Sequence, residues 1–222
     1  MANQQNIQEA VVLLSGGQDS ATCLAWALHQ KMRVRALMFS YDQRHKIELK
    51  YAKKLCRNRQ VQYDILNVPQ FGVLAANSLT HDNPIDVSEG SLPSTFVPGR
   101  NLVFLSLAAS YAYKWGISTL ITGVCETDYS GYPDCRDSFI KSTAQTISLA
   151  LDSPFEILTP LMYKTKAQTV EMMVNMKALD WYKDTHTCYE GLRPACGRCP
   201  SCKLRLAGFK KAGFKDPISY QV

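Results

Sequence analysis

The chain has no G-x-x-x-x-G-K-[ST] and no G-x-G-x-x-G anywhere in its 222 residues. The first absence argues against a Walker-type nucleotide hydrolase, the second against a dinucleotide fold. The longest apolar-rich stretch, Leu102 to Tyr113, falls far short of the ~20 residues needed to cross a bilayer. The opening MANQQNIQEA lacks a cationic start followed by an apolar segment, so no secretory leader and no membrane partner are expected. Internal repeats and low-complexity tracts are absent as well. Charge is scarce: the net value is +6 and the basic residues are spread out. That suits small anionic substrates and is no footprint of a dedicated DNA or RNA binder, so no stable nucleic-acid partner is expected. Absent a leader, the eight cysteines read as metal ligands or reactive thiols of a reducing compartment, with the cytoplasm the expected location.

What is present begins with Ala10-Val11-Val12-Leu13-Leu14, a buried-strand pattern, followed at once by Ser15-Gly16-Gly17-Gln18-Asp19-Ser20. Apolar residues at helical spacing come next (Ala21, Cys23, Leu24, Ala27, Leu28). The glycine pair therefore sits on a strand-to-helix turn. A helix start there aims unpaired N–H groups and a positive dipole end at one point, and Ser15 and Ser20 add hydroxyl donors. This is a phosphate cradle.

Further strand patterns cover Val34–Phe39, Val61–Val68, Ile117–Val124 and Phe155–Leu158. Helical patterns cover Asp19–Gln30, His45–Arg59, Asn101–Lys114, Asp137–Leu151 and Lys166–Ala178. Alternation of this kind predicts an α/β fold, a doubly wound parallel sheet with helices on both faces. Ligands of such sheets bind at the carboxyl ends of the strands, where the strand order reverses. Pro69 to Gly99 breaks the rhythm apart from a short helical piece near Phe71–Leu79, and a structureless stretch of that length is usually functional. The expected division is a nucleotide-binding part over 1–183 and a cysteine-bearing segment over 184–222.

In that segment Cys188 is followed by Cys196-Gly197-Arg198-Cys199-Pro200-Ser201-Cys202. Four thiolates with two C-x-x-C steps close a tetrahedral Zn²⁺ site with no open position, hence a structural one. The alternatives are an iron–sulfur cluster, since C-x-x-C-x-x-C also occurs in ferredoxin-type runs, and unligated thiols. Cys23 and Cys56 fall on apolar helix faces and read as core residues. Cys125 and Cys135 flank a loop and stand apart.

The crevice residues have physical readings of their own. Gln43, Arg44 and His45 follow the second strand, where Arg44 can fork onto a carboxylate or phosphate or simply start a solvated helix. Arg100 precedes a helix and suits a triphosphate. Phe96, Tyr129 and Tyr132 offer stacking faces to a flat base, and Asp128 or Asp134 can accept from a guanine-like edge.

The Ser-Gly-Gly-x-Asp-Ser loop resembles the pyrophosphatase loop of ATP-dependent adenylating enzymes. With Tyr41-Asp42-Gln43-Arg44-His45, Thr95-Phe96-Val97-Pro98-Gly99-Arg100-Asn101, Gly123-Val124-Cys125-Glu126-Thr127-Asp128-Tyr129-Ser130-Gly131-Tyr132-Pro133-Asp134-Cys135-Arg136-Asp137, Thr159-Pro160-Leu161 plus Lys166, and the cysteine cluster, the chain closely resembles the 7-cyano-7-deazaguanine synthase family. Asp42 departs from the glycine more usual there, and of Lys164 and Lys166 the latter matches. The resemblance implies a homodimeric ligase of queuosine biosynthesis that converts 7-carboxy-7-deazaguanine, ammonia and ATP into the nitrile, using Mg²⁺ and one Zn²⁺. It implies Asp19, Lys166 and Arg100 as catalytic. It assigns the nucleotide to Leu14, Ser15, Gly16, Gly17, Gln18, Asp19, Ser20, Ala21, Thr22, Cys23 and Leu24. The substrate goes to Gln43, Arg44, His45, Phe96, Asp128, Tyr132 and Asp134, and the metal to Cys188, Cys196, Cys199 and Cys202. The rivals are a tRNA sulfur-transferase acting through Cys125 or Cys135, a sibling that modifies protein or nucleic acid, and a zinc-stabilised nucleotide-binding module without catalysis.

Overall fold

A computed structural model of the chain describes residues 7–41, 46–69, 96–127 and 131–222. Strands β1 (Glu9–Leu13), β2 (Arg33–Ser40), β3 (Gln62–Asn67), β4 (Thr119–Ile121) and β5 (Glu156–Leu158) form one sheet in the order β3-β2-β1-β4-β5. Every pairing is parallel. Helices α1 (Gln18–His29), α2 (Ile47–Asn58), α3 (Arg100–Lys114), α4 (Asp137–Ala150), α5 (Lys166–Asn175) and α6 (Pro200–Ala212) pack around it. No described helix is long and apolar enough to cross a membrane.

Alternation along the strands sorts the core into two layers. Val11, Leu37 and Phe39 face α3 and α4 through Phe104, Leu105, Ala108, Ile140 and Ile147. Ala10, Val12, Ala36 and Met38 face α1 and α2 through Ala21, Leu24, Ala52 and Leu55. Cys23 and Cys56 are buried in this second layer, as their spacing predicts. The expected doubly wound sheet is present. β4 is shorter than the apolar run 117–124, because its ladder to β5 runs only from Thr119 to Ile121. The helical piece expected at Phe71–Leu79 lies outside the described residues.

One helix was not foreseen. α6 starts behind Cys199 with Pro200 in its first turn and ends on Gly213, whose φ of 76° suits a left-handed cap. It buries Phe209 against Val170 and Met173 of α5, Ala25 of α1 and Tyr182. It also buries Arg205, 1% exposed. The Arg205 Nε and Nη2 donate to both oxygens of Asp216 at 2.7 and 2.9 Å. Its remaining donors reach Thr185 Oγ1, Thr187 Oγ1 and the Tyr182 carbonyl. Asp216 also accepts from the Ile218 amide and the Tyr220 hydroxyl. A buried ion pair is stabilising only when its remaining donors and acceptors are met, and here they are.

Arg205→Met leaves Asp216 buried without its cation, and thermal unfolding is expected to show a loss of about 3–5 kcal/mol. Adding Asp216→Asn should recover part of it. A single variant that melts like the unaltered chain would show that the network contributes nothing to stability.

Candidate active site

The strand order reverses between β1 and β4, so the crevice of the sheet opens above their carboxyl ends. β1 runs into Ser15-Gly16-Gly17, and β4 runs into Thr122-Gly123-Val124-Cys125. Gly16 has φ +93°, and a Cβ there would collide with the Glu48 carbonyl of α2, so only glycine fits. Gly17 is the N-cap of α1 in extended backbone. The two serine hydroxyls hold the loop's shape: Ser15 Oγ lies 3.0 Å from Ser20 Oγ, Gly16 N donates to Ser20 Oγ at 3.2 Å and Gly17 N to Ser15 Oγ at 3.3 Å.

Asp19, in the first turn of α1, accepts from Lys166 Nζ with both oxygens, at 2.7 and 2.6 Å. Lys166 owes its place to a capping box. Thr165 Oγ1 accepts from the Gln168 amide and Gln168 Oε1 from the Thr165 amide, so α5 starts with Lys166 as its first residue. Behind it stands Gly208 of α6, where a Cβ would lie 2.6 Å from the Lys166 Cβ. Gly123 allows a less severe approach, its Cβ position being 3.2 Å from the Asp19 Cβ.

Across the crevice, Gly99 in left-handed backbone (φ +71°) turns the chain into α3 at Arg100. Arg100 Nη1 donates to Tyr41 Oη at 3.4 Å. Burial works against its charge, but Tyr41, Tyr132 and Asp134 more than offset that and hold the guanidinium protonated. Phe96 and Tyr132 come together, with ring centroids 5.6 Å apart. Asp134 is 8% exposed, and its Oδ2 accepts from the Asn101 amide at 3.2 Å, so it serves the start of α3. Gln43, Arg44, His45 and Asp128 lie outside the described residues, as does Tyr129.

The nucleotide stretch expected from Leu14 to Leu24 is longer than the segment that faces the crevice. Leu14, Ala21, Cys23 and Leu24 are buried in the core, and Thr22 Oγ1 is held by the Gln18 carbonyl and the Tyr182 hydroxyl. Gln18 is buried too. The side chains that reach the crevice from this stretch reduce to Ser15, Asp19 and Ser20, with the backbone of Gly16 and Gly17.

The four cysteines Cys188, Cys196, Cys199 and Cys202 are all buried, with every sulfur within 4.8 Å of the others. Around a tetrahedral ion bound at about 2.3 Å, neighbouring sulfurs stand about 3.8 Å apart; Cys196 and Cys202 Sγ are 3.9 Å apart. Amides of Cys196 and Cys199 donate to the sulfurs of Cys188 and Cys196. The hydrogen bond from Cys202 pulls the Cys199 thiol down to about 5, while the Cys202 thiol is pushed up by the same bond. The donor set fits one metal ion. From this cluster the chain leads back to the loop: His186 N donates to the Gly16 carbonyl at 2.9 Å, and the His186 ring stacks on Tyr51 of α2.

Residues 9–213 match the family described as queuosine biosynthesis protein QueC. The chain belongs to the QueC family. A 7-cyano-7-deazaguanine synthase of Bacillus subtilis (strain 168) is 49% identical over 92% of this chain and 94% of its own. Another, from Chromobacterium violaceum, is 47% identical over 97% of this chain and 95% of its own. Among solved structures, the NMN synthetase of Francisella tularensis has a TM-score of 0.51 at 16% identity, over 95% of this chain and 79% of its own, a likeness of fold alone. QueC is an enzyme family, and membership favours the ligase over the tRNA sulfur-transferase. Burial pushes the Cys135 thiol up to about 12, away from the thiolate a sulfur-transferase would need, and Cys125 Sγ donates to the Lys164 carbonyl at 3.2 Å.

Residues that patterning did not single out are Glu48, Tyr189, Arg205 and Gly208. Nothing in the spacing marks Gly208, since a glycine inside a helical stretch reads only as a weakness. Gly208→Ala forces α6 and Lys166 apart. The expected result is a fall in turnover of about tenfold or more, since small misplacements at a reacting centre are costly, with a stability loss of about 1–3 kcal/mol from overpacking. Steady-state kinetics beside a melting curve checks it; unchanged turnover would show that α6 does not position the lysine.

Proposed function

We propose that this QueC-family chain converts 7-carboxy-7-deazaguanine, ammonia and two ATP into 7-cyano-7-deazaguanine, two AMP and two pyrophosphate. The observation that carries the proposal is the glycine-rich cradle at the switch point, closed by the Asp19–Lys166 pair. A carboxylate is a poor electrophile because its leaving oxygen is charged. Its attack on the α-phosphate of ATP gives an acyl-adenylate and pyrophosphate, a leaving group suited to the loop and the start of α1. Ammonia then displaces AMP to give the primary amide. To reach the nitrile the amide oxygen must leave as well. A second ATP adenylates it with release of pyrophosphate, and loss of AMP and of both amide protons forms the carbon–nitrogen triple bond.

In this scheme Lys166 neutralises charge developing on the α-phosphate, aided by the positive end of α5. Asp19 is the carboxylate for Mg²⁺, an ion commonly held by one or two carboxylates plus substrate phosphates. Arg100 takes the phosphates, and Phe96 and Tyr132 stack on the deazapurine. Gln43, Arg44, His45 and Asp128 complete the substrate side. Cys188, Cys196, Cys199 and Cys202 hold Zn²⁺, which supplies folding energy and no open coordination position. The division into 1–183 and 184–222, a homodimer and a cytoplasmic location belong to the same proposal. Exposed Leu102, Val103 and Tyr113 along α3 support the dimer.

Two measurements test it. Product analysis should give two AMP per nitrile, and the synthetic amide should be processed without added ammonia; ADP as product, or an inert amide, would overturn the scheme. Lys166→Ala should lower turnover about 10²–10³-fold, by analogy with removal of one oxyanion donor. Lys164→Ala should be mild, since that side chain is exposed and only its carbonyl is engaged. A greater loss in the Lys164 variant would reverse the assignment.

A further inference from the structure

We infer that His186 is a positioning residue for the pyrophosphate end of ATP, an inference that rests on the ligase reading above. Its backbone amide donates to the Gly16 carbonyl at 2.9 Å. The His186 carbonyl lies 3.7 Å from where a Cβ on Gly17 would stand, so one residue of the carboxyl-terminal segment borders both glycines of the loop. The backbone of α2 also presses on Gly16: a Cβ there would collide with the Glu48 carbonyl and lie 2.9 Å from the Ala52 nitrogen. The loop is thus held between two backbones that come from distant parts of the chain.

What this contact decides is the direction of one peptide group. The carbonyl and the N–H of a trans peptide, as this one is, point opposite ways. The Gly16 carbonyl is turned inward to His186, which is 1% exposed. The Gly17 N–H is therefore turned outward, where it meets the exposed Ser15 Oγ at 3.3 Å. Outward is the crevice, so an anion there meets this N–H together with the start of α1. A peptide between two glycines has little steric reason to keep one orientation. Reversed, it would present a carbonyl oxygen to the pyrophosphate. The His186 amide opposes that reversal by giving the inward carbonyl its donor.

The donor is itself held from several directions. Arg205 donates to Thr185 Oγ1, and Arg193 donates to the Thr185 and Lys183 carbonyls at 2.8 and 2.9 Å. The His186 ring stacks on Tyr51 of α2, with centroids 5.7 Å apart and planes 19° apart. The Arg193 guanidinium lies 4.7 Å from the centre of the same Tyr51 ring. His186 Nε2 is 3.1 Å from the Cys188 carbonyl. The imidazole thus fastens its own backbone to the helix that presses on Gly16, and so keeps donor and acceptor in register. Its action on the pyrophosphate is through the loop.

His186→Ala and His186→Phe in the full chain test this by calorimetric titration, with inorganic pyrophosphate and AMP as separate probes. AMP lacks the pyrophosphate end and reads the remainder of the nucleotide site. His186→Ala should weaken pyrophosphate binding about tenfold or more, the scale of one hydrogen bond to a charged group, and leave AMP binding within about threefold. His186→Phe keeps a ring to stack on Tyr51 and should restore most of the pyrophosphate affinity. Tyr51→Ala should repeat the His186→Ala pattern, and the double variant should bind no more weakly than either single one, because both act through one contact. In the unaltered chain the His186 amide hydrogen should exchange with solvent several-fold more slowly when pyrophosphate is bound and at its usual rate with AMP, since coupling between two contacts is reciprocal. That measurement needs no variant to fold. Equal pyrophosphate affinity in His186→Ala and the unaltered chain, parallel loss of pyrophosphate and AMP, or an amide exchange rate indifferent to pyrophosphate would overturn the assignment. No pyrophosphate binding by the unaltered chain would overturn the reading of the loop as a cradle, and this inference with it.

Discussion

A guanidinium out of reach of water sets the terms for the carboxyl-terminal part of this protein. Taking the Arg205 charge out of water is costly, and it is tolerable only because its donors all find acceptors, two of them on a buried carboxylate. Those acceptors belong to residues 182–187 and to Asp216, so the same charge fixes the segment below α6 and the tail beyond it. The fixed segment then carries the cysteines on one side and the His186 amide bonded to Gly16 on the other. Asp184 adds a second tether, reached by Lys54 and Asn58 of α2 and by Arg59 just past its end. The cysteine cluster and the glycine-rich loop are therefore attached to one stretch of backbone rather than to separate lobes.

Electrostatics in the crevice follow from how each charge is partnered. Lys166 and Asp19 are matched to each other, and Asp134 to a helix start. Arg100 sits among phenols and keeps its proton securely.

Strands and helices around the sheet were legible because burial on one or both faces leaves a periodic apolar trace. Val11 and Val12 go to opposite layers, and α1, α2, α3, α4 and α5 each present an apolar stripe. α6 was not legible, for a physical reason. Its inward stripe is Cys202, Arg205, Gly208 and Phe209, in which one residue is charged, one is the weakest helix former short of proline and one belongs to the cysteine cluster. The phosphate loop and the four cysteines were readable because their chemistry is local in sequence. The Asp19–Lys166 pair, the Arg205–Asp216 network and the role of Asp134 at α3 were not, since each depends on which distant segments the topology brings together. The stretch from Leu14 to Leu24 runs from the loop into a helix whose far side is core.

The lysine that completes the cradle has a bearing on how the protein is made. Lys166 lies 147 positions after the aspartate it neutralises. On a ribosome, synthesis proceeds at about 5–20 residues per second, so Asp19 emerges well before its cation exists. Throughout that interval the cradle has its glycines and its helix start but no partner for the carboxylate, and the backbone that carries His186 arrives later still. The pair that closes the loop thus forms only after all five strands of the sheet have been made.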